Sequence, residues 1–127
     1  MNAAFVLLWM LFFHVVADYN LQGWLASAKQ KSWWEENCKF EMYKYKYDYI
    51  MALIMHSISW TFMVMLPIAY AQGFTTNGGF VFMFVFNVVF HALIDDLKAN
   101  QKMINLWIDQ LAHIGQMVIT FVVLYVC

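Results

Sequence analysis

Histidine and aspartate recur at a spacing of four residues in three separate segments of this chain. The pairs are His14–Asp18, His91–Asp95 and Asp109–His113. Residues four apart lie on the same face of a helix, so each pair presents an imidazole and a carboxylate to one neighbour. The fourth histidine of the chain, His56, has no such partner. Because imidazole and carboxylate groups are costly among apolar residues, the pattern predicts that these groups meet one another.

Imidazole nitrogens and carboxylate oxygens are the ligands that proteins offer to zinc and related divalent cations. Two such side chains on successive helical turns can bind one ion, as HExxH helices do. The set therefore predicts a divalent-metal site, with zinc as the expected metal and either one or two ions. The predicted metal ligands are His14, Asp18, His56, His91, Asp95, Asp109 and His113.

The composition predicts that these residues lie inside a membrane. Hydrophobic residues make up 64% of the 127 residues, charged residues make up 12%, and the mean hydropathy is +0.60. A soluble domain is about half apolar and about one quarter charged. The net charge of −1 gives no basic surface for nucleic acid, so no nucleic-acid partner is expected. The chain is predicted to be an integral membrane protein.

Four apolar segments are long enough to cross a bilayer, which takes about 20 helical residues. They cover about residues 3–26, 49–71, 80–97 and 104–127. We expect an all-α, four-helix transmembrane bundle that forms a single membrane domain over residues 1–127. The first segment lacks a basic region before its apolar stretch, so we interpret it as a retained span and not as a signal peptide. Short links between the later spans favour an up-and-down arrangement.

The connector between the first two spans, residues 27–48, differs from the rest of the chain. It contains five lysines interleaved with tryptophan, phenylalanine and tyrosine. Aromatic and lysine side chains are typical of the membrane–water interface, so Trp33, Trp34 and the tyrosines are expected to contact lipid headgroups. Membrane lipids are therefore the expected partners. The same segment could also serve a protein partner, and a homo-oligomer is compatible with the sequence.

The lysines also predict the orientation. All seven lie in or beside the links that follow the first and third spans, and the link after the second span has none. By the positive-inside rule those two links are cytoplasmic, and both termini lie on the non-cytoplasmic side.

The predicted span ends place the titratable residues at a common depth. With cytoplasmic ends at residues 26, 48, 98 and 104, a rise of about 1.5 Å per residue puts Asp18 and His56 about 12 Å into the membrane. His91 then lies at about 10 Å and His113 at about 13 Å. All four histidines fall in the inner half of the bundle, one on each helix.

Three functions are compatible with such a cluster. It could be a buried hydrogen-bond network that fixes helix packing, in a structural or interaction protein. It could form a proton or ion pathway in a channel or transporter. It could hold a metal and hydrolyse a lipid-linked or membrane-accessible substrate, with Asp95 or Asp109 as the general base that activates water.

The ordered motifs also resemble a known family. The segments HVVADYNLQ, HALIDDLK and DQLAH, with Lys29 and His56 between them, resemble an uncharacterised family of small polytopic membrane proteins of bacteria and their viruses, described only as a domain of unknown function. The resemblance implies four spans and a bacterial inner-membrane location, but no activity. A looser similarity of pattern connects the chain to membrane-bound metal-dependent hydrolases. The residues of the family type are His14, Asp18, Gln22, Lys29, His56, His91, Asp95, Lys98, Asp109, Gln110 and His113.

Overall fold

The computed structural model describes all residues, Met1–Cys127, and every regular element in it is helical. Four helices are long and apolar enough to cross a membrane: Ala3–Asn20, Asp48–Ala71, Gly78–Ala99 and Leu106–Val126. The all-α, four-helix prediction is confirmed. The first of these helices is α1 (Ala3–Val15) continued by a π-helical segment (Val16–Asn20). The others are α5 (Asp48–Ala71), α6 (Gly78–Ala99) and α7 (Leu106–Phe121), which a second π-helical segment (Val122–Val126) extends.

Each helix of the bundle packs beside the next in a ring. Helix α5 lies between α1 and α6, and α7 completes the ring by contacting both α6 and α1. The links 21–47 and 100–105 lie at one end, which we call the lysine-rich end. The link 72–77 and both termini lie at the opposite end. This is the up-and-down arrangement that short links between antiparallel helices produce.

Asparagine side chains set the starts of three spans. Asn2, Asn77 and Asn105 each accept a hydrogen bond from a backbone N–H in the first turn of the helix that follows, at 2.8 to 3.0 Å. Such caps satisfy donors that have no partner within the helix. They place the start of α6 at Gly78, two residues before the predicted start, and the start of α7 at Leu106, two residues after it.

The first span ends earlier than its apolar pattern suggests. The helix stops at Asn20 instead of near residue 26, and Gly23 then takes a positive φ of 49° that reverses the chain. A short helix α2 (Leu25–Ala28) follows and packs against α5. Residues 21–29 therefore cover the lysine-rich end of the bundle where six further residues of membrane span were expected.

The aromatic connector folds onto the bundle through one tryptophan. Helices α3 (Lys31–Asn37) and α4 (Met42–Tyr45) are joined by a 3₁₀ turn (Lys39–Glu41). Trp34 is only 8% exposed, donates to the Ala28 carbonyl at 2.7 Å and stacks on Tyr45. It packs with Ala28 and Ala52 in a small apolar core and does not face headgroups. Phe40 and Tyr43, at 97% and 86% exposure, remain free for the interface.

The larger apolar core fills the opposite half of the bundle. It includes Val6 and Met10 of α1, Trp60 and Ile68 of α5, and Phe121 of α7. Large apolar side chains such as Phe5, Phe62 and Phe82 point outward instead and are more than half exposed. A lipid environment covers such surfaces, whereas water would leave an aggregating patch. The outward apolar surface agrees with the four helices being membrane spans.

Candidate metal centre

All four spans send ligand-type side chains to one buried place in the half of the bundle nearer the lysine-rich end. The π-helical segment after α1 supplies one residue, α5 one, and α6 and α7 two each. Every one of these side chains is at most 5% exposed. We call this set the ligand cluster: Asp18, His56, His91, Asp95, Asp109 and His113.

Four members form a compact group at the meeting of α1, α5 and α6. The Nε2 atom of His56 lies 3.3 Å from Asp18 Oδ1 and 3.4 Å from Asp95 Oδ2. The Nε2 atom of His91 lies 3.6 Å from Asp95 Oδ2 and 4.0 Å from Asp18 Oδ1. Ligand atoms about 2.0–2.2 Å from a tetrahedral zinc ion are separated by about 3.3–3.6 Å. The group therefore has the ligand types and the spacing to hold one metal ion.

A second group shares Asp18 with the first. It combines Asp18 with Asp109 and His113 of α7, again with one ligand atom from each residue within 4.8 Å of the others. The His113 Nε2 atom lies 3.3 Å from Asp109 Oδ1 and 3.1 Å from Asp95 Oδ1. Asp95 thus directs one oxygen to each group. The residues present could therefore hold one ion in the first group, or one ion in each group.

Some buried atoms of the cluster have no hydrogen-bond partner. These include both ring nitrogens of His91 and the Oδ1 atom of Asp109. An unsatisfied buried polar group costs about 1–3 kcal/mol, and more when it is charged. His91 Nε2 and Asp109 Oδ1 also point toward the ligand cluster. A cation in the first group could satisfy His91 Nε2, and a cation in the second group could satisfy Asp109 Oδ1.

The hydrogen bonds around His113 leave its Nε2 atom as an acceptor. Gln116 donates from Nε2 to Asn87 Oδ1 at 3.2 Å, which turns its own Oε1 toward His113 Nδ1 at 3.1 Å. A carbonyl oxygen can only accept, so Nδ1 carries the hydrogen and a neutral His113 has a bare Nε2. That atom then faces two carboxylate oxygens, which are acceptors as well. Histidine ligands of metals are held in this way by a second hydrogen bond.

The structure places His14 outside the ligand cluster. Trp60 donates from Nε1 to His14 Nδ1 at 2.8 Å, so His14 Nε2 carries the hydrogen and donates to Gln110 Oε1 at 2.9 Å. Both ring nitrogens are therefore used, and neither is free to bind an ion. The Gln110 amide in turn donates to Asp18 Oδ2 at 2.8 Å and to Asp109 Oδ2 at 2.9 Å. His14, predicted as a ligand, acts here as a positioning residue behind two carboxylates.

Two lysines contact the cluster from the lysine-rich end. Lys29, only 5% exposed, donates from Nζ to Asp95 Oδ2 at 2.8 Å and to Gln22 Oε1 at 3.0 Å. Lys98 donates to Asp109 Oδ2 at 3.0 Å. Both lysines and Gln22 belong to the family-type set, which assigned them no role. Lys29 can reach the bundle axis because the first span stops at Asn20 and the chain then turns back.

Trp60 is a site residue that the sequence analysis did not identify. Besides its hydrogen bond to His14, its ring stacks on His91, with centroids 4.2 Å apart and planes inclined by 21°. His91 stacks on His113 in the same way, at 4.1 Å and 28°. The sequence does contain a sign of this role for Trp60. It lies four residues after His56, and it lies in the middle of a span, whereas tryptophan is usual at the membrane interface.

Compared with protein-family models, curated proteins and solved structures, the chain matches none. The resemblance to a family of unknown function stays a prediction. What the molecule itself provides is a membrane bundle whose buried histidine and aspartate side chains could hold a metal ion.

Proposed function

We propose that this protein is a metal-dependent hydrolase of the membrane, with one or two zinc ions in the ligand cluster, acting on a lipid-linked or membrane-accessible substrate. One observation carries the proposal: three imidazoles and three carboxylates from all four spans converge in a buried site, and three buried atoms of that site, both ring nitrogens of His91 and Asp109 Oδ1, have no hydrogen-bond partner. A divalent cation is the simplest group that compensates them all.

Hydrolysis is favoured over a closed structural site for two reasons. The donor set holds no cysteine, since Cys38 and Cys127 are both free and lie outside it, and closed structural zinc sites are usually rich in cysteine. The set also exceeds the four ligands that one such site uses. A zinc ion with an open position supplies a water of lowered pKa and an electrophile for the scissile bond.

Different residues of the ligand cluster would bind the metal and activate the water. The first group of four orients the ion. Asp109 has one oxygen held by Lys98 and Gln110, while its Oδ1 atom has no hydrogen-bond partner. We therefore assign Asp109 Oδ1 the role of the general base that accepts a proton from water. Asp95, the other predicted base, has Oδ2 held by Lys29 and close to His56 and His91, and Oδ1 close to His113, so its oxygens face both groups, which suits a ligand better.

The arrangement of polar groups also favours hydrolysis over conduction. From His113 the hydrogen-bonded chain continues through Gln116 and Asn87 to Thr120. The core beyond it, toward the opposite end, is apolar and includes Val6, Ile68 and Phe121. A proton pathway needs polar groups or water across the whole membrane, whereas an enzyme needs access from one side only.

The decisive test of the metal site is element-resolved analysis of the protein purified in detergent. We expect about one or two zinc ions per chain, and a melting temperature lowered by about 10 °C after chelation, because a ligand that binds only the folded state stabilises it by RT ln(1 + [L]/Kd). Added zinc should restore the original melting temperature. A protein that purifies without metal, and whose melting temperature changes with neither chelator nor zinc, would refute the proposal.

We further propose that the lysine-rich end is cytoplasmic and both termini are not, as the lysine distribution predicts. Cys38 lies at the lysine-rich end and Cys127 at the opposite end, so labelling of each thiol reports which side of the membrane that end faces. In intact spheroplasts an impermeant maleimide should label the Cys38→Ser protein at Cys127 and leave the Cys127→Ser protein unlabelled. Inverted vesicles should give the reverse result. Labelling of Cys38 in spheroplasts would contradict this orientation.

A further inference from the structure

A polar pocket opens directly beneath the ligand cluster. It has a volume of about 530 Å³ and lies between residues 22–30 and residues 98–104, at the lysine-rich end. Lys29, Lys98 and Lys102 line it together with Gln22 and Gln30. We call it the lysine pocket. Four other grooves of the bundle are lined mainly by apolar side chains, so this one differs from them in chemistry.

Two of its lysines connect the pocket to the cluster. The Lys29 ammonium lies 2.8 Å from Asp95 Oδ2, and the Lys98 ammonium lies 3.0 Å from Asp109 Oδ2. Each ammonium has three donors; Lys29 uses two of them, for Asp95 and Gln22, and Lys98 uses one, for Asp109, so both keep at least one donor for a second anion. An anion held by these two groups would lie against the ligand cluster. Lys102 is exposed, makes no ion pair, and adds a third positive charge at the mouth.

The charges of the site call for such an anion once a metal is bound. Lys29 and Lys98 offset two of the three aspartates of the ligand cluster, so with neutral histidines one divalent ion leaves a net charge of +1 and two ions leave +3. Uncompensated charge is costly in a buried, membrane-embedded site. A phosphate monoester carries a charge of about −1.5 to −2 at neutral pH and offers three strong acceptor oxygens. It therefore offsets the excess positive charge and can accept hydrogen bonds from the lysine ammonium groups.

We propose that the lysine pocket binds the phosphate group of a phosphate monoester, and that this ester is the substrate of the ligand cluster. The inference rests on the proposed function. In the reaction water adds its oxygen to phosphorus and the bond between phosphorus and the alcohol oxygen breaks. Asp109 accepts a proton from the water and then returns that proton to the departing alcohol oxygen. No electrons are transferred. Lys29 and Lys98 hold the non-bridging oxygens, whose charge they stabilise.

The binding test uses inorganic phosphate titrated into the zinc-loaded protein in detergent, with calorimetric detection. Lys98→Gln should raise the dissociation constant about tenfold, because it removes a half-buried charged donor. Lys102→Gln should raise it about threefold, as expected for an exposed charge, and cannot disturb the cluster because Lys102 contacts none of its members. Lys39→Gln, which removes an exposed lysine outside the pocket, should leave the constant unchanged.

Competition then separates two sources of the phosphate group. Phosphatidic acid in nanodiscs and soluble glycerol 3-phosphate are each added as competitors of inorganic phosphate. Competition by phosphatidic acid alone assigns a lipid substrate, and competition by glycerol 3-phosphate alone assigns a soluble one. Either result supports a phosphate monoester, and failure of both to compete overturns the pocket.

Zinc content measured on the same samples distinguishes failure of the pocket from failure of the metal site. Retained zinc with phosphate binding that ignores both Lys98→Gln and Lys102→Gln overturns the lysine pocket and leaves the metal site intact. Phosphate binding that both variants weaken in a protein without zinc supports the pocket and refutes the hydrolase. A zinc-loaded protein that binds no phosphate also overturns the inference.

Discussion

Replacement of His91 by alanine is expected to remove most of the bound metal. The His91 Nε2 atom faces both Asp18 and Asp95, and neither of its ring nitrogens has another role in the bundle. Loss of a side chain that only supports a ligand costs about 10–100-fold in metal affinity, so loss of a ligand should cost at least that much. We expect less than one tenth of the wild-type zinc after purification and dialysis, measured by elemental analysis. His113→Ala should behave in the same way.

Two controls separate ligand loss from a disturbed bundle. His91→Gln fills most of the space and keeps a polar side chain, so it should fold and still lose metal. Thr61→Val changes another fully buried polar side chain, on α5, whose hydroxyl has no partner and lies outside the cluster. It should keep its zinc in full.

His14→Gln should bind zinc more weakly than Thr61→Val and more tightly than His91→Gln, with full occupancy at saturating zinc, because His14 acts through Gln110. Full zinc content in His91→Gln would contradict the assigned site.

Replacement of Asp109 by asparagine is expected to lower hydrolysis by about 10²–10⁴-fold, the usual contribution of a general base. The substitution preserves the shape of the side chain and removes its charge and its basicity. Release of inorganic phosphate from phosphatidic acid and from p-nitrophenyl phosphate measures the effect. Asp96→Asn is the matched control and should retain activity, because the half-buried Asp96 carboxylate accepts hydrogen bonds only from Asn100 and Gln101. Equal activity of Asp109→Asn and wild type would exclude Asp109 from the reaction.

Zinc analysis of the same variant assigns the role of Asp109. If the wild-type protein holds one ion, Asp109→Asn should keep it, because the group of Asp18, His56, His91 and Asp95 remains complete. If the wild-type protein holds two ions, the variant should lose the one shared with His113. In the first case Asp109 is the base, and in the second it is a ligand of the metal that binds the water.

A buried polar network without metal is the main competing interpretation. In that case the positive charges would come from Lys29, Lys98 and protonated histidines, and the structure shows that both lysines do reach carboxylates. This interpretation leaves His91 with no partner at either nitrogen in a fully buried position. Substitution of such an unpaired imidazole by an apolar side chain would cost little stability, so a network without metal does not explain the histidine at position 91. A metal ligand does.

The sequence by itself determined the four spans and most of the ligand cluster. The length of an apolar run and the fourfold spacing of histidine and aspartate are local properties, so they can be read without knowing the neighbouring helices. Six of the seven predicted ligands lie together in the structure for this reason.

The rotation and depth of one helix against another were decided only by tertiary packing. The fourfold spacing places His14 and Asp18 on one stripe, but Trp60 and Gln110 come from other helices and occupy both nitrogens of His14. Hydropathy likewise continues past Asn20, whereas the chain turns at Gly23 so that Lys29 can reach Asp95 across the bundle. Neither contact has a local signature, because each depends on a residue supplied by a distant segment.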